Sequence, residues 1–271
     1  MNEIGQDSFL KRHSVTVFFV LVLLIGFGMV VPLMLTGNAL FGLLAASSAS
    51  IAGLITAAST GNLKWLLSGF LRWRCNPLWY IIAIFIPAVT ILISIGVSRV
   101  FGNQFQIQCT VSLASVVPIF LMITLQAGLG EEIGWRGFVT PKLMEKRSAL
   151  KSSLIVGAVW SVWHAPLYFF PGFIQYTLVQ EIGFPLTVIS YSANVFALAI
   201  VHSWIYEASN RNLWLPILLH GSLNAFASFF AYSNFEVYGI SVVMINVLLW
   251  VILAVAVVLI YGPQLFSKST Q

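Results

Sequence analysis

Three short groups of residues have the types and spacing needed for acid–base chemistry. The first is Gly130-Glu131-Glu132-Ile133-Gly134-Trp135-Arg136-Gly137. On a helix Glu132 and Arg136 stand at i and i+4, the orientation that supports an ion pair. Glu131 lies about 100° round the helix from Glu132, so one carboxylate is held by Arg136 while its neighbour faces elsewhere, which suits a general base. The second group is Trp160-Ser161-Val162-Trp163-His164-Ala165-Pro166, and the third is His220-Gly221-Ser222-Leu223-Asn224. His220 and Asn224 are again i and i+4, so their side chains face the same way. Each group alone also has an ordinary structural reading: a snorkelling charge cluster that ends a helix, or side chains hydrogen-bonded between packed helices.

The elements that must position these residues are membrane helices. The chain has 271 residues, 59% hydrophobic and 8% charged, against about 25% charged in a soluble domain. A soluble globule is excluded, and unbroken runs such as Val15 to Val31 disfavour a barrel of alternating strands. The expected fold is all-α: a polytopic helix bundle with about eight crossings near 15–35, 37–58, 78–101, 110–130, 152–170, 184–206, 213–230 and 237–261. The chain reads as one membrane domain, 1–271, with a motif-bearing core at about 110–230.

Orientation follows from Lys and Arg. With both termini cytoplasmic, the inner segments hold Lys11 and Arg12; Lys64, Arg72 and Arg74; Arg136, Lys142, Lys146, Arg147 and Lys151; Arg211; and Lys268. That is twelve of the thirteen basic residues, with Arg99 alone outside. The net charge of +5 is therefore loop charge and does not call for a nucleic-acid partner. The first run is longer than a signal-peptide core and reads as a retained span. Cys75 falls inside and Cys109 outside, so the two are not expected to pair.

Depth links the three groups. His164 lies about 18 Å in from Ser152 and His220 about 11 Å in from Leu213. With the carboxylates at the cytoplasmic end of the fourth crossing, all share the inner half of the bilayer on three helices. Independent packing residues have no reason to share a layer, so a joint polar site is expected. His202 can reach the same layer but reads as a hydrogen-bonded structural residue. Glu207 reads as a helix-end anchor, and Pro141 to Lys151 as an interfacial amphipathic helix or linker. Ser161 and Ser222 lack a base at triad-like spacing.

These motifs resemble those of the CAAX-protease and bacteriocin-processing family of intramembrane endopeptidases, also called the ABI family: EExxxR, FxxxH and HxxxN, each on a separate helix in that order. Here they are Glu131-Glu132 with Arg136, Trp160 with His164, and His220 with Asn224. The resemblance covers about the second half of the chain, with Trp160 standing where the family usually has Phe. It implies peptide hydrolysis in the membrane plane, with Glu131 and His164 activating water, Glu132 and Arg136 orienting the helix end, and His220 and Asn224 binding the oxyanion. A rival description puts a zinc ion between Glu131, His164 and His220 as a His₂Glu site with an open position. The implied partners are the lipid bilayer and a membrane-associated peptide or protein, prenylated CAAX peptides among the candidates. The implied location is a bacterial cytoplasmic membrane. Two other classes stay open: a non-catalytic peptide-binding or bacteriocin-immunity membrane protein, and a transporter.

Overall fold

The computed structural model describes residues 9–102, 112–231 and 235–266, and those residues are helical throughout apart from turns. Cys109 and Lys268, placed above by the expected topology, lie outside the described residues. In chain order the main helices are α1 Ser14–Thr36, α2 Ala39–Ala46, α3 Ser48–Ser59, α4 Leu63–Ser68, α5 Leu78–Val100, α6 Leu113–Ile123, α7 Gly130–Gly134, α8 Thr140–Met144, α9 Ala149–Trp163, α10 Ile174–Ile182, α11 Phe184–Ala208, α12 Trp214–Ala231 and α13 Phe235–Tyr261.

Five helical stretches among the described residues are long and apolar enough to cross a bilayer, and seven if each of two bent pairs is one crossing. The bent pairs are α2 with α3, at 55°, and Ala149–Phe169 with α10, at 73°. Eight crossings are expected from the sequence; the segment 213–230 is helix α12. Apolar side chains such as Leu24, Leu35, Val100, Leu259 and Ile260 are exposed on the outside of the bundle. An apolar exterior of that extent fits lipid rather than water.

Local chemistry explains the helix ends. Gly37 closes α1 at φ 66°, a left-handed conformation that glycine adopts without penalty. Asn38 then starts α2, its side-chain oxygen accepting from Leu40 N–H at 3.0 Å. Ser148 caps α9 in the same way, accepting from Lys151 N–H at 3.3 Å.

The fourth crossing departs from expectation. Instead of ending near 130 with the carboxylates at its boundary, it runs unbroken over Ala114–Met144. The Glu131-Glu132…Arg136 cluster therefore sits inside the span. The charges that suggest a helix end in the sequence form instead an internal ion pair, closed within one turn and buried by the bundle. Two π-helical turns, Thr124–Leu129 and Trp135–Val139, flank the short α7 that carries both glutamates. Such wide turns re-aim the residues between them and recur at functional sites. The expected interfacial helix at 141–151 is likewise divided: Thr140–Met144 completes the crossing, and Ala149 opens α9 after a turn.

Two glycines let this span be gripped from both sides. A Cβ at Gly134 would overlap the Ala49 carbonyl of α3, and one at Gly221 of α12 would overlap Thr124 in the first π turn. These backbone approaches bring α12, with His220, against the glutamates. Helices α9 and α11 complete the enclosure by packing along each other, and α11 also packs against α13.

Candidate active site

The structure brings Glu131, Glu132, Arg136, His164 and His220 together in one buried cluster, with His202 added from α11. Glu132 and Arg136 are fully buried, and Arg136 Nη1 donates to both carboxylate oxygens at 3.0 Å. The i, i+4 ion pair inferred from spacing is thus formed. Glu132 Oε1 also accepts from His220 Nδ1 at 2.7 Å, across 88 residues of sequence. The guanidinium carbon lies 4.9 Å from the centre of the Trp160 ring, in cation–π contact.

Glu131 has different company. Its Oε2 accepts from the indole N–H of Trp160 at 2.8 Å and of Trp135 at 3.2 Å. Its Oε1 is 3.7 Å from His220 Nε2. The two adjacent carboxylates are therefore separated by environment: Glu132 is matched by a guanidinium, whereas Glu131 is held by neutral donors and keeps hydrogen-bonding capacity for a further proton.

Trp160 also fixes His164. The Trp160 carbonyl faces His164 Nδ1 at 2.8 Å. A carbonyl only accepts, so Nδ1 carries the hydrogen and Nε2 of the neutral ring is left as a lone pair. The imidazole is steadied edge-on by Trp163 and Tyr191, with ring centres 4.7 Å and 5.2 Å away. One residue thus orders both candidate water-activating groups, by its indole for Glu131 and by its backbone for His164. A Phe at 160 would keep the backbone contact and lose the indole bond.

Asn224 stands one helical turn beyond His220 on α12, half-buried, and its amide bonds to none of the cluster. Ser161 and Ser222 have buried hydroxyls with no hydrogen-bonding base, so neither is set up as a nucleophile. Glu207 pairs with Arg211 at 2.8 Å at the end of α11.

Two residues of the site are not singled out by the sequence: Trp135 hides among ordinary aromatic residues, and Tyr191 carries no motif at all. His202 has a signal, its depth in the shared layer, but reads from sequence as structural. Its Nδ1 does bond the Leu198 carbonyl at 2.8 Å, yet its ring also packs on His220 and Trp160 at 5.7 Å and 6.1 Å.

The set of three metal-capable residues that converges among the described residues is Glu132, His202 and His220, with one ligand atom from each within 4.8 Å of the others. It shares only His220 with the zinc set inferred from sequence. The donors do not fit a cation as they stand. Glu132 already accepts from Arg136 and His220, and the bond from His220 Nδ1 requires a hydrogen on that nitrogen. A cation held through His220 Nδ1 would displace that proton, and one on Glu132 would lie beside a buried guanidinium.

Residues 113–226, which hold all three motifs, match the family described as type II CAAX prenyl endopeptidase Rce1-like. The chain is 32% identical over 149 residues to a protein named CAAX prenyl protease 2 from Methanococcus maripaludis; the match covers 53% of this chain and 53% of that protein. The aligned part thus spans about half the length of the relative. Through its motif-bearing residues 113–226, the chain is similar to the Rce1-like family of type II CAAX prenyl endopeptidases.

Proposed function

We propose that this integral membrane protein is an intramembrane endopeptidase that cleaves a membrane-associated substrate of the prenylated CAAX type. The observation that carries the reading is the contrast between the two adjacent glutamates: Glu132 is neutralised by Arg136, and Glu131 is held by two indoles beside an imidazole. Two carboxylates pushed into different environments mark an acid–base assignment. Glu131 is the general base, and His164, with its bare Nε2, shares in orienting and deprotonating the attacking water.

The water oxygen adds to the scissile carbonyl as its proton passes to Glu131. The resulting oxyanion accepts a hydrogen bond from His220 Nε2 and from the Asn224 amide. Because Nδ1 already donates to Glu132, donation from Nε2 requires the doubly protonated ring, whose charge is met by Glu131, 3.7 Å from Nε2, and then by the oxyanion itself. Collapse breaks the C–N bond, and the proton held by Glu131 goes to the leaving amine, giving a free amine and a carboxylic acid, which becomes a carboxylate as it releases the second water proton. Glu132 and Arg136 hold this arrangement without touching substrate. No step is routed through a metal, since two of the three converging donors, Glu132 and His220, are already engaged with one another.

The distribution of Lys and Arg supports a site on the inner side of a bacterial cytoplasmic membrane, with both termini inside. The test is cleavage of fluorogenic farnesylated CAAX peptides by protein in nanodiscs. Glu131→Ala and His164→Ala should each lower kcat by about 10²–10⁴-fold while leaving folding intact. Wild-type rates from purified Glu131→Ala protein would show that the base is misassigned.

A further inference from the structure

Several buried polar atoms of the cluster are not used by the proposed chemistry. Arg136 engages Glu132 through Nη1 alone; its Nε and Nη2, fully buried, have no protein partner. His202 is equally buried, and its Nε2 has no protein partner either. The bond from its Nδ1–H to the Leu198 carbonyl fixes the tautomer, so Nε2 presents a lone pair. Unmatched donors and an unmatched acceptor therefore occur in one cluster. Leaving such groups dry is costly, and a single water with three polar partners meets the usual requirement for a buried hydration site.

We propose that His202 is a positioning residue: one buried water accepts from the Arg136 guanidinium and donates to His202 Nε2, locking the chain that runs from Arg136 through Glu132 to His220. The guanidinium rotates about its last side-chain bonds, and Nη1 stays on both oxygens of Glu132 only while that rotation is fixed. Trp160 restrains the flat face of the group, and the bridge restrains its edge. Glu132 in turn holds His220 Nδ1–H and so sets where Nε2–H points. His202 also touches His220 directly, ring edge to ring face at 5.7 Å, so a loss of acceptor and a loss of packing must be separated experimentally.

Two replacements do so. His202→Phe keeps the ring and removes the acceptor; His202→Gln gives up the ring and returns an amide oxygen at similar reach. The kinetic arm rests on the endopeptidase reading and uses farnesylated CAAX peptide as the probe. His202→Phe should lower kcat by about ten- to a hundredfold with KM unchanged, as expected when a catalytic group is displaced slightly, and His202→Gln should recover to within about threefold of wild type. The second arm is independent of activity: nitrogen NMR of histidine-labelled protein in lipid. The His220 ring signals should move in His202→Phe and return in His202→Gln. Water-edited spectra of the unmodified protein should show transfer from ordered water to His202 Nε2, which tests the bridge even if His202→Phe does not fold. Unchanged His220 signals in His202→Phe, a Gln variant as impaired as Phe, or no water transfer to His202 would each overturn the proposal. A wild-type protein that cleaves no farnesylated peptide, yet shows the NMR responses, would refute the substrate reading and leave the positioning role standing.

Discussion

Replacing Arg136 with Met removes one half of a fully buried ion pair and leaves the other half where water does not reach. Arg136 Nη1 is 3.0 Å from both Glu132 oxygens, and both side chains have zero exposure. At a separation of about 4 Å and an effective dielectric of about 20, such a pair is worth about 4 kcal/mol. Breaking one partner of a buried pair typically costs about 3–5 kcal/mol, because the survivor is left uncompensated. Loss of the contact over Trp160 adds to this. Glu132→Gln should be costly for the converse reason, since the guanidinium then faces only an amide oxygen. The double variant carries neither charge, so it should be about 2–3 kcal/mol more stable than the sum of the two losses. The assay is reversible unfolding in mixed micelles followed by tryptophan fluorescence, run as a double-mutant cycle. Additivity of the two single losses within about 0.5 kcal/mol would refute the account of Arg136 as the structural counter-charge of Glu132.

Trp160→Phe removes the 2.8 Å indole bond to Glu131 and should lower the unfolding free energy by about 1.5–3 kcal/mol, the range for a hydrogen bond to a charged group. Cleavage should persist because Trp135 still donates; an unchanged stability would contradict the bond. Gly134→Ala places a methyl group against the Ala49 carbonyl and should cost about 1–3 kcal/mol by forcing helices apart. Gly28→Ala, with nothing within 4 Å of the new methyl, should be stable in the same melts, and equal losses for the two would remove the close-approach argument. Peptide cleavage should be indifferent to chelator and to added zinc. Loss on chelation with recovery on zinc addition would mean that the Glu132, His202 and His220 donors rearrange around a cation.

The membrane-embedded helical class follows from composition alone, because a chain so apolar has no soluble way to bury its side chains. Local spacing also determines the Glu132–Arg136 pair: four residues on a helix put the two groups on one face wherever that helix lies. The order and depth of the three motifs point to a shared site, and five of the six residues drawn from them do meet. Hydropathy misplaces the end of the fourth crossing because a sliding average counts buried charges as a boundary and has no knowledge that they cancel each other. It also divides the bundle into eight straight segments where two are bent, since a bend at Ser47 leaves little mark on composition. Only tertiary packing decides the rest. A glycine-mediated backbone contact, Gly221 on Thr124, sets α12 against the π turn that precedes α7, and His220 meets Glu132 across 88 residues. That the Trp160 indole reaches Glu131, and that His202 belongs to the cluster, depend on long-range distances that no local spacing encodes.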